Sequence, residues 1–114
     1  MSRHWSRLLS PRSIAILGAT DRGDIPSLPQ RFLHMHGYGG EIFPVNPRLA
    51  EVGGLRCYPL VAALPLVPDI AMVMTAAARV PTLLEECGRA GVPFVVVCSS
   101  ASRRWARRRR SRNW

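Results

Sequence analysis

A chain of 114 residues, 47% of them hydrophobic and 20% charged, has room for one folded domain and reads as a globular rather than a disordered protein. Its formal charge of +9 suggests a polyanion partner until it is mapped. All 16 basic residues are arginine, and seven stand at positions 103, 104, 107, 108, 109, 110 and 112, so residues 1–102 carry a net charge of only about +2.

The three cysteines, Cys57, Cys87 and Cys98, form no Cys-x-x-Cys pair. This argues against a disulfide framework or a zinc site and for a reducing compartment. The start MSRHWSRLLSPR has no apolar run long enough for a signal peptide. No stretch approaches the roughly 20 apolar residues of a membrane span. A cytoplasmic body with no membrane partner is expected.

In chain order, Ser13-Ile-Ala-Ile-Leu17 reads as a strand apolar on both faces, as a fully covered parallel strand must be. The loop GATDRGDIPS follows. A helix is expected from about Ser27 to Met35, with Ser27 as N-cap and Pro29 in the first turn, where its missing N–H costs little. Gly37, Gly39 and Gly40 mark its exit. Glu41-Ile-Phe-Pro-Val45 is a second strand, stopped by Asn46-Pro47. A short extended piece near Cys57-Tyr58 and a helical turn around Val61–Leu64 come next. Asp69–Met74 is a third strand. Arg79–Ala90 is a helix with Leu83, Leu84 and Cys87 at helical spacing, ended by Gly91. Pro93–Cys98 is a fourth strand, rich in β-branched residues. Strand–helix–strand alternation with short connections predicts an α/β, Rossmann-like, doubly wound parallel sheet of about four strands, incomplete at that number.

In such a sheet the ligand lies at the carboxyl ends of the strands, and the first strand-to-helix loop offers backbone N–H groups to phosphate. Here that loop is Gly18-Ala19-Thr20-Asp21-Arg22-Gly23. Taken alone, it fits a plain turn as well as a phosphate cradle. A dinucleotide fingerprint would need glycine where Thr20 stands and an acidic residue where Asn46-Pro47-Arg48 stands. An NAD(P)-binding oxidoreductase fragment is therefore the weaker alternative.

Five segments in register, PRSIAILGATDR, GYGGEIFPVNPR, EVGGLRCYPL, LPLVPDIAMV and LLEECGRAGVPFVVV, resemble the coenzyme A-binding domain of the NDP-forming acyl-CoA synthetases. These are the ADP-forming acetate–CoA ligases and the related succinyl-CoA ligase α subunit. The resemblance covers roughly residues 8–100. It implies coenzyme A or acyl-CoA as ligand. The CoA phosphates would meet Gly18, Ala19, Thr20 and Arg22, and the nucleotide part Val45, Asn46, Pro47 and Arg48. The pantetheine arm would pass Thr75, Ala76, Ser99 and Ser100. Two departures stand out: Pro26-Ser27 where the family has glycine entering the first helix, and Met74-Thr75-Ala76 where it has Val-Pro-Ala.

The family's acyl-phosphate chemistry uses a phosphorylated histidine in a later domain. His4, His34 and His36 do not match it, and no nucleophile–base pair or metal cluster is recognisable. Cys98, in an apolar strand, reads as inert packing. The resemblance thus implies a binding fragment without catalytic residues of its own, working with further synthetase domains or a separate subunit.

Residues 1–100 are read as the partial CoA-binding domain and 101–114 as a basic tail without fixed structure. Where the family continues Ser-x-Gly-Phe-x-Glu, this chain has SSASRRWARRRRSRNW. One GC-rich back-translation from Ala101, read one base out of frame, gives GFAEVGEEAPQPEL, so a frameshift origin is expected. The competing reading is a nucleic-acid-binding arm of Arg and Trp, with non-specific polyanion binding the lesser form of the same idea.

Overall fold

Four short apolar runs can satisfy their backbone groups and hide their side chains only by lying side by side. The computed structural model describes residues 10–23 and 25–98 and arranges them in that way. In chain order the elements are β1 (Ser13–Leu17), α1 (Leu28–Met35), β2 (Glu41–Val45), β3 (Glu51–Val52), β4 (Leu55–Arg56), β5 (Ile70–Val73), α2 (Val80–Ala90) and β6 (Phe94–Val97). The main sheet has the order β2-β1-β5-β6, and every pairing is parallel.

All five residues of β1 are buried, as its unbroken apolar run requires of the strand with neighbours on both sides. Its alternation splits the core. Ala15 and Leu17 join Phe43, Val45, Ala71 and Val73 beneath Leu83 and Cys87 of α2. Ile14 and Ile16 join Val52, Cys57 and Met74 on the opposite face, with Leu33 of α1 packed against them. Helices thus cover both faces, the doubly wound arrangement. The chain leaves β1 for β2 on one side and returns to β5 on the other, so the order reverses at β1.

The amino ends of the strands are stapled shut. Tyr38 Oη donates to the Pro11 carbonyl at 2.8 Å, and Asp69 Oδ2 accepts from the Arg12 N–H at 2.8 Å. Burial, followed by the nearby Asp69 carboxylate, raises the Tyr38 phenol above its usual pKa, which keeps it a donor through the neutral range. Tyr38→Phe is expected to cost about 1 kcal/mol, read as a lower denaturant midpoint at unchanged slope.

The structure differs from the sequence expectation at three places. Ser27 does not cap α1 through its side chain; it is the buried last residue of a 3-10 turn, Ile25–Ser27, that leads into the helix. Residues 51–56 form an antiparallel hairpin closed by Gly53 and Gly54 at φ +54° and +83°. Two consecutive left-handed residues match the right-handed twist of paired strands. Cys98 is exposed just beyond β6, whereas Cys57 and Cys87 are buried.

Among the described residues β6 forms an edge of the sheet, with Val96 and Val97 exposed. No helix among the described residues is long and apolar enough to cross a membrane. Ser99, Ser100, His4 and the basic tail lie outside the described residues.

Candidate functional site

At the carboxyl end of β1 the chain turns on Gly18, at φ +89°, and the Gly18 N–H donates to the Val45 carbonyl at 2.8 Å. Beside it the Met74 N–H donates to the Leu17 carbonyl at 2.8 Å. A Cβ on Gly18 would stand 2.7 Å from Thr75 Cγ2 and 3.0 Å from the Met74 carbonyl oxygen. Only glycine lets the exits of β1 and β5 close up this far.

The exit of β2 is organised by Asn46-Pro47-Arg48. The Asn46 N–H donates to the Tyr58 carbonyl, and the Tyr58 N–H to the Pro44 carbonyl, both at 2.9 Å. Cys57-Tyr58 therefore lies along the end of β2, where an extended piece was expected. The Asn46 side chain donates from Nδ2 to the Ala19 carbonyl at 3.0 Å and accepts at Oδ1 from the Arg48 N–H at 2.9 Å.

These exits enclose a cleft of about 300 Å³. Of the residues singled out from sequence, Gly18, Val45, Asn46, Pro47, Arg48 and Thr75 meet there. Ala19 does not; its side chain is buried in the core of the opposite face. Thr20 lines a second cleft of about 540 Å³ on the α1 side, together with Asp21, Gln30 and Gly53. Arg22 and Ala76 are exposed and line neither cleft.

The first cleft also has walls that sequence reasoning missed: Pro59, Leu60, Arg79, Leu83 and Glu86. Arg79 ends the 3-10 turn Ala77–Arg79 that follows β5. Its place after a strand's carboxyl end was the available signal. Pro59 and Leu60 carry no local pattern that points to a site.

Two arginines, Arg48 and Arg79, and one glutamate, Glu86, line the cleft together with the apolar Leu17, Val45, Met74 and Leu83. That lining suits a ligand that carries an anionic group beside apolar surface. Among the described residues no three His, Cys, Asp or Glu are grouped to hold a metal. His36 stacks against Phe32 at 4.2 Å, and His34 lines the second cleft. Burial raises the Cys57 and Cys87 thiols above their usual pKa, with Glu86 adding to the rise at Cys87, so both are kept as unreactive thiols.

A parallel sheet wound on both faces and opened at its carboxyl ends by a glycine-led loop, an Asn-Pro-Arg corner and a second arginine defines a Rossmann-like ligand-binding domain. The chain belongs to the CoA binding domain family, whose model matches residues 12–113. It is 36% identical over 98 residues to the α subunit of the ADP-forming acetate–CoA ligase I of Pyrococcus furiosus, covering 82% of this chain and 21% of that one. It is 34% identical over 95 residues to the ADP-forming acetate–CoA ligase I of Archaeoglobus fulgidus, covering 82% of this chain and 14% of the relative. The chain thus spans a small part of the length of these relatives. Among solved structures it resembles the dinucleotide-forming acetyl-coenzyme A synthetase 1 of Ca. Korarchaeum cryptofilum. There the TM-score is 0.79 at 38% identity, with 83% of this chain and 21% of that one covered. A conserved hypothetical protein of Pyrococcus furiosus matches with a TM-score of 0.69 at 26% identity, covering 85% of this chain and 86% of its own.

Proposed function

We propose that this chain binds coenzyme A or an acyl-CoA, as the CoA-binding part of an acyl-CoA synthetase of the ADP-forming kind. The ligase chemistry would be supplied by further domains or a separate subunit. The observation that carries this reading is the meeting of Gly18, Asn46-Pro47-Arg48 and Thr75 in one cleft at the carboxyl ends of β1, β2 and β5. Membership of the CoA binding domain family supports it. So does the existence of relatives in which the matching segment belongs to a named α subunit.

The ligand would lie with its phosphates toward Gly18, Arg48 and Arg79 and its pantetheine arm over Leu17, Met74 and Thr75. Bound in this way, the chain would hold and orient the thiol ester or free thiol for a reaction completed elsewhere. None of its own residues is assigned an acid, base or nucleophilic role.

Titration calorimetry with CoA, NAD and a short oligonucleotide tests the proposal. A saturable heat with CoA at one site per chain, and none with NAD, is the expected result. Oligonucleotide binding that weakens steeply with salt and shows no sequence preference is expected from the arginines at 103–112. Protein that shows a cooperative unfolding transition yet gives no heat with CoA overturns the reading.

A further inference from the structure

Asn46 stands in the candidate cleft, and the simplest role for it is to touch the ligand. Its hydrogen bonds argue for another. Backbone N–H, backbone carbonyl, Oδ1 and Nδ2 are each bonded within the protein: to the Tyr58 carbonyl, to the Leu49 N–H at 3.4 Å, to the Arg48 N–H and to the Ala19 carbonyl. The orientation of the amide follows from its partners. An N–H group can only be met by Oδ1, so Nδ2 must be the atom that faces the Ala19 carbonyl.

One side-chain bond fixes a residue that lines the cleft, Arg48, and the other ties together two strand exits that form its walls. The bond to the Arg48 N–H closes a local turn across Pro47, whose ring also holds Asn46 extended. That turn sets the direction in which Arg48 leaves the backbone at the rim of the cleft. The bond to the Ala19 carbonyl crosses from the exit of β2 to the exit of β1. Because the peptide is planar and trans, pinning that carbonyl toward β2 points the Thr20 N–H the opposite way. One amide therefore sets both the Arg48 side of the site and the plane of the Ala19–Thr20 peptide in the glycine-led loop.

We propose that Asn46 is a positioning residue that ties the β1 and β2 exits into one preformed frame and sets the direction of Arg48 at the rim of the cleft, rather than touching the ligand. This rests on the CoA reading for its ligand, but the frame itself is a property of the free protein.

The test uses the full chain, wild type and with Asn46→Ala, Asn46→Ser, Arg48→Ala and the double substitution Asn46→Ala/Arg48→Ala. Loss of two hydrogen bonds predicts about a tenfold weaker CoA affinity for Asn46→Ala. Since part of that loss is the misplacement of Arg48, the Asn46→Ala factor is expected to shrink to about threefold when Arg48 is already alanine. In the free protein, hydrogen exchange at the Arg48 amide is expected to speed up in Asn46→Ala. It should stay slower in Asn46→Ser, whose hydroxyl can still accept across the turn but cannot reach Ala19. Asn46→Ser also carries the test if the alanine variant does not fold.

A full tenfold effect in both backgrounds would make Asn46 a direct ligand contact and overturn the proposal, as would unchanged affinity in Asn46→Ala. Wild-type protein that binds no CoA overturns the functional reading instead. The frame then stands or falls on Arg48 amide exchange alone, and exchange unaffected by Asn46→Ala rejects it.

Discussion

Arg48→Glu is expected to weaken CoA binding by about a hundredfold or more while leaving the free energy of unfolding within about 0.5 kcal/mol of wild type. Arg48 sits at the β2 exit with its side chain exposed, lining the same cleft as Arg79. A charge-assisted hydrogen bond from a guanidinium to a phosphate contributes on the order of 1.5–3 kcal/mol, or roughly one to two decades in affinity. Reversal to glutamate adds repulsion and leaves the cleft with two carboxylates, the introduced one and that of Glu86, against the single cation Arg79. Arg48→Ala removes only the first part and is expected to lie between the two. Calorimetry at two salt concentrations checks the assignment, because a lost phosphate contact also flattens the salt dependence. Equal affinity for wild type and Arg48→Glu would remove Arg48 from the site.

Gly18→Val is expected to cost about 2–4 kcal/mol in stability and to abolish measurable CoA binding. The residue is held at φ +89°, a region that side chains other than glycine's enter at about 1–2 kcal/mol. The new Cβ would overlap Thr75 Cγ2 at 2.7 Å and press on the Met74 carbonyl at 3.0 Å. The methyl of Thr75 can rotate away; the backbone of Met74 cannot, because its N–H is bonded to Leu17 across the β1–β5 ladder. Relief therefore requires the two strand exits to part, and those exits are walls of the cleft. Gly18→Ala meets the same Cβ contact with less bulk and is expected to lose a smaller part of both quantities. Urea denaturation measures the stability loss, and a Gly18→Val protein as stable as wild type would show that the exits do not depend on this close approach.

The strands were legible because burial on both faces leaves an unmistakable mark. β1 and β2 run over the residues that the apolar runs Ser13–Leu17 and Glu41–Val45 delimit. α2 follows from Leu83 and Cys87 at one-turn spacing, both buried, and stops before Gly91. The β3–β4 hairpin escapes the sequence reading although its signal is present: a Gly-Gly pair between Val52 and Leu55 is a two-residue turn motif. Strands of two residues each are too short for alternation to reveal them. Ser27 misleads for a different reason. A serine before a helix reads as a cap, but here the chain enters through a 3-10 turn and the residue is buried, so tertiary packing overrides the local preference.

The candidate site was legible in part. Gly18 and Asn46-Pro47-Arg48 were candidates because parallel sheets place ligands at strand carboxyl ends, whereas Thr75 was named by the resemblance alone; all of them line one cleft. Arg79 and Glu86 were missed because they lie on the approach to α2 and within it, where a charged residue is indistinguishable from a solvated one.

By itself the sequence determined the sheet, its parallel sense, the end at which a ligand is expected, and the resemblance to the CoA-binding domains. All of these follow from periodicity and from motifs read along the chain. Only the tertiary structure decided which loop atoms share a cleft. Ala19 and Thr20 follow Gly18 directly, yet Ala19 is packed into the core on the α1 side and Thr20 opens on a separate cleft of that same side. The bonds that sort them come from far along the chain: Asn46 holds the Ala19 carbonyl across 27 residues, and Asp21 Oδ2 takes the Gly53 N–H across 32. A loop residue's direction is set by the partners that satisfy its backbone. Where those partners are distant in sequence, no local pattern contains it.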